Sequence, residues 1–243
     1  MWNVGRGPFL GLMVCLIAIV AMPVRAGTSP AKGTASGLSL ERLKELELSK
    51  LTPVERASLG LRLYRDEMVR PTPRPTPPYT DFKTHDYVLA QITRKLAEVD
   101  ADTATLRHTW EGLQAGEVKD SLAIFLVLRG EVAAKDAVTT YVTDRSKAMR
   151  LRELGVTGLG KLAVKTQDAK IGDVLAQVLR EDTQGQYKSS GKETVLVYPV
   201  RRAAKEAIQS LDKAGVLLPS YVTQAAERAQ VEVKAPVRKA PQP

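Results

Sequence analysis

P-V-R-R-A-A-K-E-A-I-Q-S-L, from Pro199 to Leu211 and closed by Asp212-Lys213-Ala214-Gly215, is the stretch from which the rest of the chain is read. Proline at a first helical position loses no hydrogen bond and pre-sets φ. Val200, Ala203, Ala204, Ala207, Ile208 and Leu211 then recur at three- and four-residue steps, which places them on one helical face. Gly215 supplies the left-handed residue that ends such a helix. Three alanines on the apolar face predict a close neighbour, because a methyl group keeps two backbones near each other.

The same periodicity runs upstream almost without a break. His85 to Val99 carries Val88, Leu89, Ile92 and Leu96, and Thr103 to Gln114 carries Leu106, Trp110 and Leu113. Val118 to Arg129, Ala133 to Thr143, Lys147 to Ala163 and Ile171 to Arg180 follow with apolar stripes of their own. A further helix is expected near Pro219 to Ala229. Strand-like alternation is confined to Thr194–Val197, and aromatic residues make up only 5% of the chain, which suits close helix packing. The class predicted is all-α.

Three of these helices align on a basic residue behind an apolar one. Arg201, Arg152 and Lys119 coincide; Ala204, Gly155 and Leu122 fall together three residues on, and Ile208, Leu159 and Leu126 four beyond that. Leu211 and Leu162 extend the match in two of the three. The helices ahead of them align from Asp136 and Asp173.

This pattern, apolar-Arg-x-x-Ala-x-x-x-Leu-x-x-Leu, resembles the second helix of the HEAT family of repeats, including its phycobilisome-lyase-like branch. It covers about Thr103 to Gly215, with the copy at Val118 the poorest; armadillo-type and generic helical hairpins share parts of it. Asp144 and Asp182 are the candidate turn aspartates of that pattern, each further from its arginine than the family spacing. The resemblance implies a short α-solenoid of stacked antiparallel helix pairs whose inner helices form a concave protein-binding surface. A lone helix pair buries one face only, so pairs stack until the core is continuous. Arg152 and Arg201 are expected to bond carbonyls or an aspartate between neighbouring repeats.

Asp182 to Val197 interrupts a connection that is usually short. Tyr187, Lys188 and Lys192 make it an aromatic-basic insertion. Two readings stand: a mobile insertion, or a loop that contacts a partner. Either one predicts that exchanging it for Gly-Ser leaves thermal stability unchanged.

The flanks set the organisation. Arg6, an apolar run from Phe9 to Met22 and Val24-Arg25-Ala26 read as a signal peptide over 1–26, cleaved after Ala26. The run is shorter than the roughly 20 residues of a spanning helix. Residues 27–37 are a small-residue linker, and 38–68 a helical hairpin marked by Leu40, Leu43 and Leu46 and then by Thr52-Pro53-Val54-Glu55, a capping box. Residues 69–80 are a proline-rich, extended spacer; 81–230 are the repeat domain, with the helices from His85 and near Pro219 as its ends; 231–243 are a disordered tail.

Cys15 is the one cysteine and falls within the signal segment, so the mature chain has no disulfide, thiolate metal site or cysteine nucleophile. The formal charge of +9, which falls by two when Arg6 and Arg25 leave with the signal segment, either serves solubility alone or meets a cell-wall polymer, anionic lipid or an acidic protein in preference to nucleic acid. His85 and His108 have no metal-ligand spacing around them. Ser189-Ser190-Gly191-Lys192 lacks the strand-to-helix frame of a phosphate loop. Gly158-Leu159-Gly160 lies inside a helical stripe, where packing accounts for it. No cofactor, metal or catalytic residue is assigned. The function expected is a non-enzymatic protein-binding scaffold; a basic spacer on envelope polymer and an enzyme with its site in the 182–197 loop are the alternatives.

Overall fold

A computed structural model describes residues 48–70, 85–190 and 193–234. The signal peptide, the linker, Leu40, Leu43 and Leu46, residues 71–80 of the proline-rich spacer, Lys192 and residues 235–243 lie outside them. The described helices are α1 (Pro53–Val69), α2 (His85–Glu98), α3 (Thr103–Gly112), α4 (Glu117–Leu128), α5 (Lys135–Thr143), α6 (Met149–Thr166), α7 (Lys170–Glu181), α8 (Pro199–Lys213) and α9 (Ser220–Arg228).

The helix starts follow local chemistry. Thr52 accepts from the Glu55 amide, Glu55 accepts from the Thr52 amide at 2.7 Å, and Pro53 takes the first turn of α1. Asp102 caps α3 in the same way, through the Thr105 amide at 2.8 Å. Both carboxyls titrate below their ordinary range, Glu55 because of its bonds to Thr52 and Asp102 because of its bonds to Thr105.

The helix ends sort the chain into two sets. Asp100, Gly130, Gln167 and Gly215 are the positive-φ residues among those described, and they follow α2, α4, α6 and α8. At each, the next amide reaches back: Ala101 to Leu96, Glu131 to Leu126, Asp168 to Ala163 and Val216 to Leu211. These are Schellman closures, which satisfy carbonyls the helix leaves open. By contrast α1, α3, α5, α7 and α9 all end on an extended residue: Arg70, Leu113, Asp144, Asp182 and Ala229.

Packing repeats the division. α2, α4, α6 and α8 touch in succession, with α6 and α8 the closest pair, while α7 touches α5 and α9 in the other set and α1 touches α3. Each member of one set also packs on its chain neighbour: α1 on α2, α3 on α4, α5 on α6, α7 on α8. α4 is enclosed by α2 and α6, which also touch each other, and Leu122 through Val127 are all buried. A helix apolar all round belongs in a core, so its large side chains blur the repeat pattern at Val118. Close approach elsewhere uses glycine. A Cβ on Gly160 would stand 2.6 Å from the Ala207 Cβ, and one on Gly155 2.8 Å from Val142. Gly158-Leu159-Gly160 is thus helix–helix packing.

α1 is joined to the rest, packing on α2 and α3. Tyr64, fully buried, donates to Thr93 Oγ1 at 2.7 Å, and Thr93 donates to the Leu89 carbonyl. Burial pushes the Tyr64 phenol well above its usual range.

The chain is mostly helical, consistent with the all-α class expected, and carries one small sheet besides. The 182–197 insertion forms β1 (Gln186–Ser190) and β2 (Glu193–Val197), and Glu232–Lys234, expected in the disordered tail, is β3. They pair antiparallel in the order β1-β2-β3. Tyr187, Leu196 and Val233 stand opposite one another across the sheet, and Val197 is buried. Cross-strand apolar pairs of this kind hold short strands, of which only β2 shows in the alternation of the sequence.

Candidate functional site

Two of the three aligned basic residues meet the carboxyl end of the preceding helix. Lys119, near the start of α4, donates to the Leu113 carbonyl at the end of α3 at 2.6 Å and lies 5.8 Å from the centroid of the Trp110 ring. Arg152, near the start of α6, donates through Nε and Nη2 to the Val142 carbonyl in the last turn of α5, at 3.0 and 2.8 Å. Its Nη1 donates to Gln184 Oε1 at 3.1 Å.

Arg152 is 1% exposed, and its charge is matched inside the protein. Nη2 lies 2.6 Å from Asp182 Oδ2, whose side chain is fully buried. That contact is charge against charge: Oδ2 takes no hydrogen bond, while Nη2 donates to the Val142 carbonyl. Asp182 Oδ1 accepts from the Gln184 amide at 2.8 Å, which fixes the carboxylate. A buried arginine is tolerated when paired and hydrogen-bonded in this way. Asp182 therefore serves Arg152, one helix pair earlier, and not Arg201. Asp144 ends α5 as Asp182 ends α7, and accepts from the Ser146 amide at 2.9 Å. The hydroxyl and amide of Ser146 hold its carboxyl below the usual range.

Arg201, near the start of α8, completes the series differently. Its guanidinium carbon lies 4.8 Å from the centroid of the Tyr198 ring, a cation–π contact, and its Nε is buried with no hydrogen-bond partner. It opens on a cleft of about 550 Å³ between α7, α8 and α9, whose walls carry Arg180, Tyr221, Gln224, Arg228 and Ala229. Arg180, Arg201 and Arg228 have no carboxylate partner among the described residues. Asp173, which is not among the residues lining the cleft, accepts from the Tyr221 hydroxyl, and this raises the phenol's pKa. A concave surface with three unmatched guanidinium groups and an apolar floor from Leu179 and Ala225 suits a planar anion.

The residues of the insertion singled out as candidate partner contacts lie elsewhere. Tyr187, 70% exposed, and Lys188 are on β1, an outer strand of the sheet, and neither lines the cleft; Lys192 is outside the described residues. A second hollow, about 330 Å³, lies between α6 and α8 beside Gly160, Lys161, Ala203 and Ala207. Among the described residues no cluster has the make-up of a metal site, and no helix is long and apolar enough to cross a membrane. Hydrophobic periodicity does not bring out Arg180, Tyr221 or Arg228. The signal that could have found them is indirect: Ala229 follows α9 where Asp144 and Asp182 follow α5 and α7.

The chain matches no family model, no curated protein and no solved structure.

Proposed function

We propose that this is an exported, non-enzymatic HEAT-like repeat protein, a short α-solenoid that acts as a scaffold for another protein. The observation that carries the reading is the recurrence of one joint. Lys119 and Arg152 each hold the end of the preceding helix, and the helices that bear them close through a left-handed residue, as the helix of Arg201 does. Stacked pairs joined alike are what a repeat array consists of, and such arrays characteristically present extended surfaces to partners. Export rests on the sequence of residues 1–26.

A photo-crosslinking amino acid placed singly at Lys161, Arg228 or Arg107 in the full chain, expressed in an exporting bacterial host, tests this. A discrete protein adduct from Lys161 or Arg228, absent from Arg107 on α3, is expected. Adducts from every position alike, or from none, would refute the scaffold.

The unmatched arginines also favour a second reading, a basic spacer held on anionic envelope polymer. It predicts sedimentation with wall material that is reversed by salt. Sedimentation indifferent to salt excludes it.

A further inference from the structure

We infer that the cleft between α7, α8 and α9 receives a carboxylate from outside the chain, presented by an acidic peptide segment of a protein partner. This deepens the scaffold reading and rests on it for its biological use. The argument comes from the molecule's own internal solution to the same problem. Asp182 ends α7 with φ −70° and ψ 126°, Asp144 ends α5 with φ −79° and ψ 106°, and Ala229 ends α9 with φ −66° and ψ 120°. The backbone is therefore shaped alike at all three ends. At the last of them a methyl group stands where the other two carry a carboxylate.

Arg152 shows what that missing carboxylate does. It brings Oδ2 within 2.6 Å of Nη2, while the glutamine two residues on accepts from Nη1 at 3.1 Å. Arg201 has the same place on the next helix, and it has an unpartnered, buried Nε instead. Its guanidinium lies against the Tyr198 ring, which holds the plane and leaves donor edges free. Arg180 and Arg228 add positive charge on the two flanking helices, and the Tyr221 hydroxyl is already engaged in donating to Asp173. The cleft, about 550 Å³, is larger than one carboxylate and has room for the residues on either side. An Asp-x-Gln segment, the very arrangement that satisfies Arg152, is the occupant it fits.

The test uses the full mature chain and a fluorescein-labelled peptide copying Arg180–Gly185, R-E-D-T-Q-G, read by fluorescence anisotropy at low salt. A second peptide carries asparagine in place of the aspartate. The asparagine peptide should bind about tenfold more weakly, since it keeps the acceptor and loses the charge opposite the guanidinium. R201Q should weaken the aspartate peptide to a similar degree. A229D, which supplies the carboxylate from within, should abolish binding without lowering Tm, so a loss there is not a loss of fold. Equal binding of the two peptides overturns the inference, as does undiminished binding by A229D. Inorganic phosphate competing as well as the peptide, mole for mole, overturns it in favour of a general anion basin. A crosslinked partner with no peptide preference leaves the scaffold and removes the carboxylate; peptide preference without any crosslinked partner does the reverse.

Discussion

Arg152 and Arg201 hold the same position on neighbouring helices and meet opposite surroundings. Arg152 is sealed in, with a carbonyl, an amide oxygen and a carboxylate around it. Arg201 faces a cleft, and the next turn brings it Ala229. An arginine in a repeated pattern is therefore not structural or functional by type. What the following helix end supplies decides whether the guanidinium is matched inside the protein or left open to a cleft.

The comparison can be broken most directly at Asp182. D182A leaves a buried guanidinium without its counter-charge, and should cost about 3–5 kcal/mol in urea unfolding. R152M/D182A should cost clearly less than the sum of the two single changes, since the residues are coupled. Additive losses would mean that the pair is not a unit. Next comes the sheet. Exchanging Gln186–Val197 for Gly-Ser removes the buried Val197 and the 2.8 Å bond from Arg150 to Gln186. A loss of about 2 kcal/mol is expected, where a dispensable loop predicts an unchanged Tm. R201M, by contrast, should cost under about 1 kcal/mol, because no internal hydrogen bond or ion pair is broken. If it destabilises as much as R152M does, the two positions are alike after all. The smallest effect concerns pH. The Asp144 carboxyl is held low in the folded state, so its contribution is complete above the ordinary carboxylate range and fades as pH falls through the folded value. D144N should flatten the acid limb of Tm against pH and leave the neutral region unchanged.

Much of the helical part was legible because leucines and valines at three- and four-residue steps gather on one side only when the backbone is helical. Gly215 and the capping box at Thr52 were readable for the same kind of reason, each being a local solution to a local problem. The sheet was not. β1 is Q-Y-K-S-S, polar and without alternation, and β3 is three residues ahead of a proline-bearing tail. Their pairing is made by what lies opposite, which no single stretch records. The Val118 copy looked poor because α4 is enclosed on several sides and needs bulk where its counterparts need small residues. At the site, sequence names Arg152, Arg201, Asp144 and Asp182 but does not say which meets which. Asp182 turns back to the earlier arginine, a consequence of helix order in space. The cleft left still less trace, since its signal is an acid that is missing.

α9 has a further consequence for how the cleft behaves. Of its nine residues, only Val222 and Ala226 are buried, whereas α8 buries seven of its fifteen. Fraying should therefore start there, with amide exchange fastest along the wall that carries Tyr221 and Arg228. If the cleft takes the acidic segment proposed for it, that ligand must first still this wall. Part of its affinity is spent on ordering, and its arrival should be readable as slowed exchange in α9 while α6 remains unchanged.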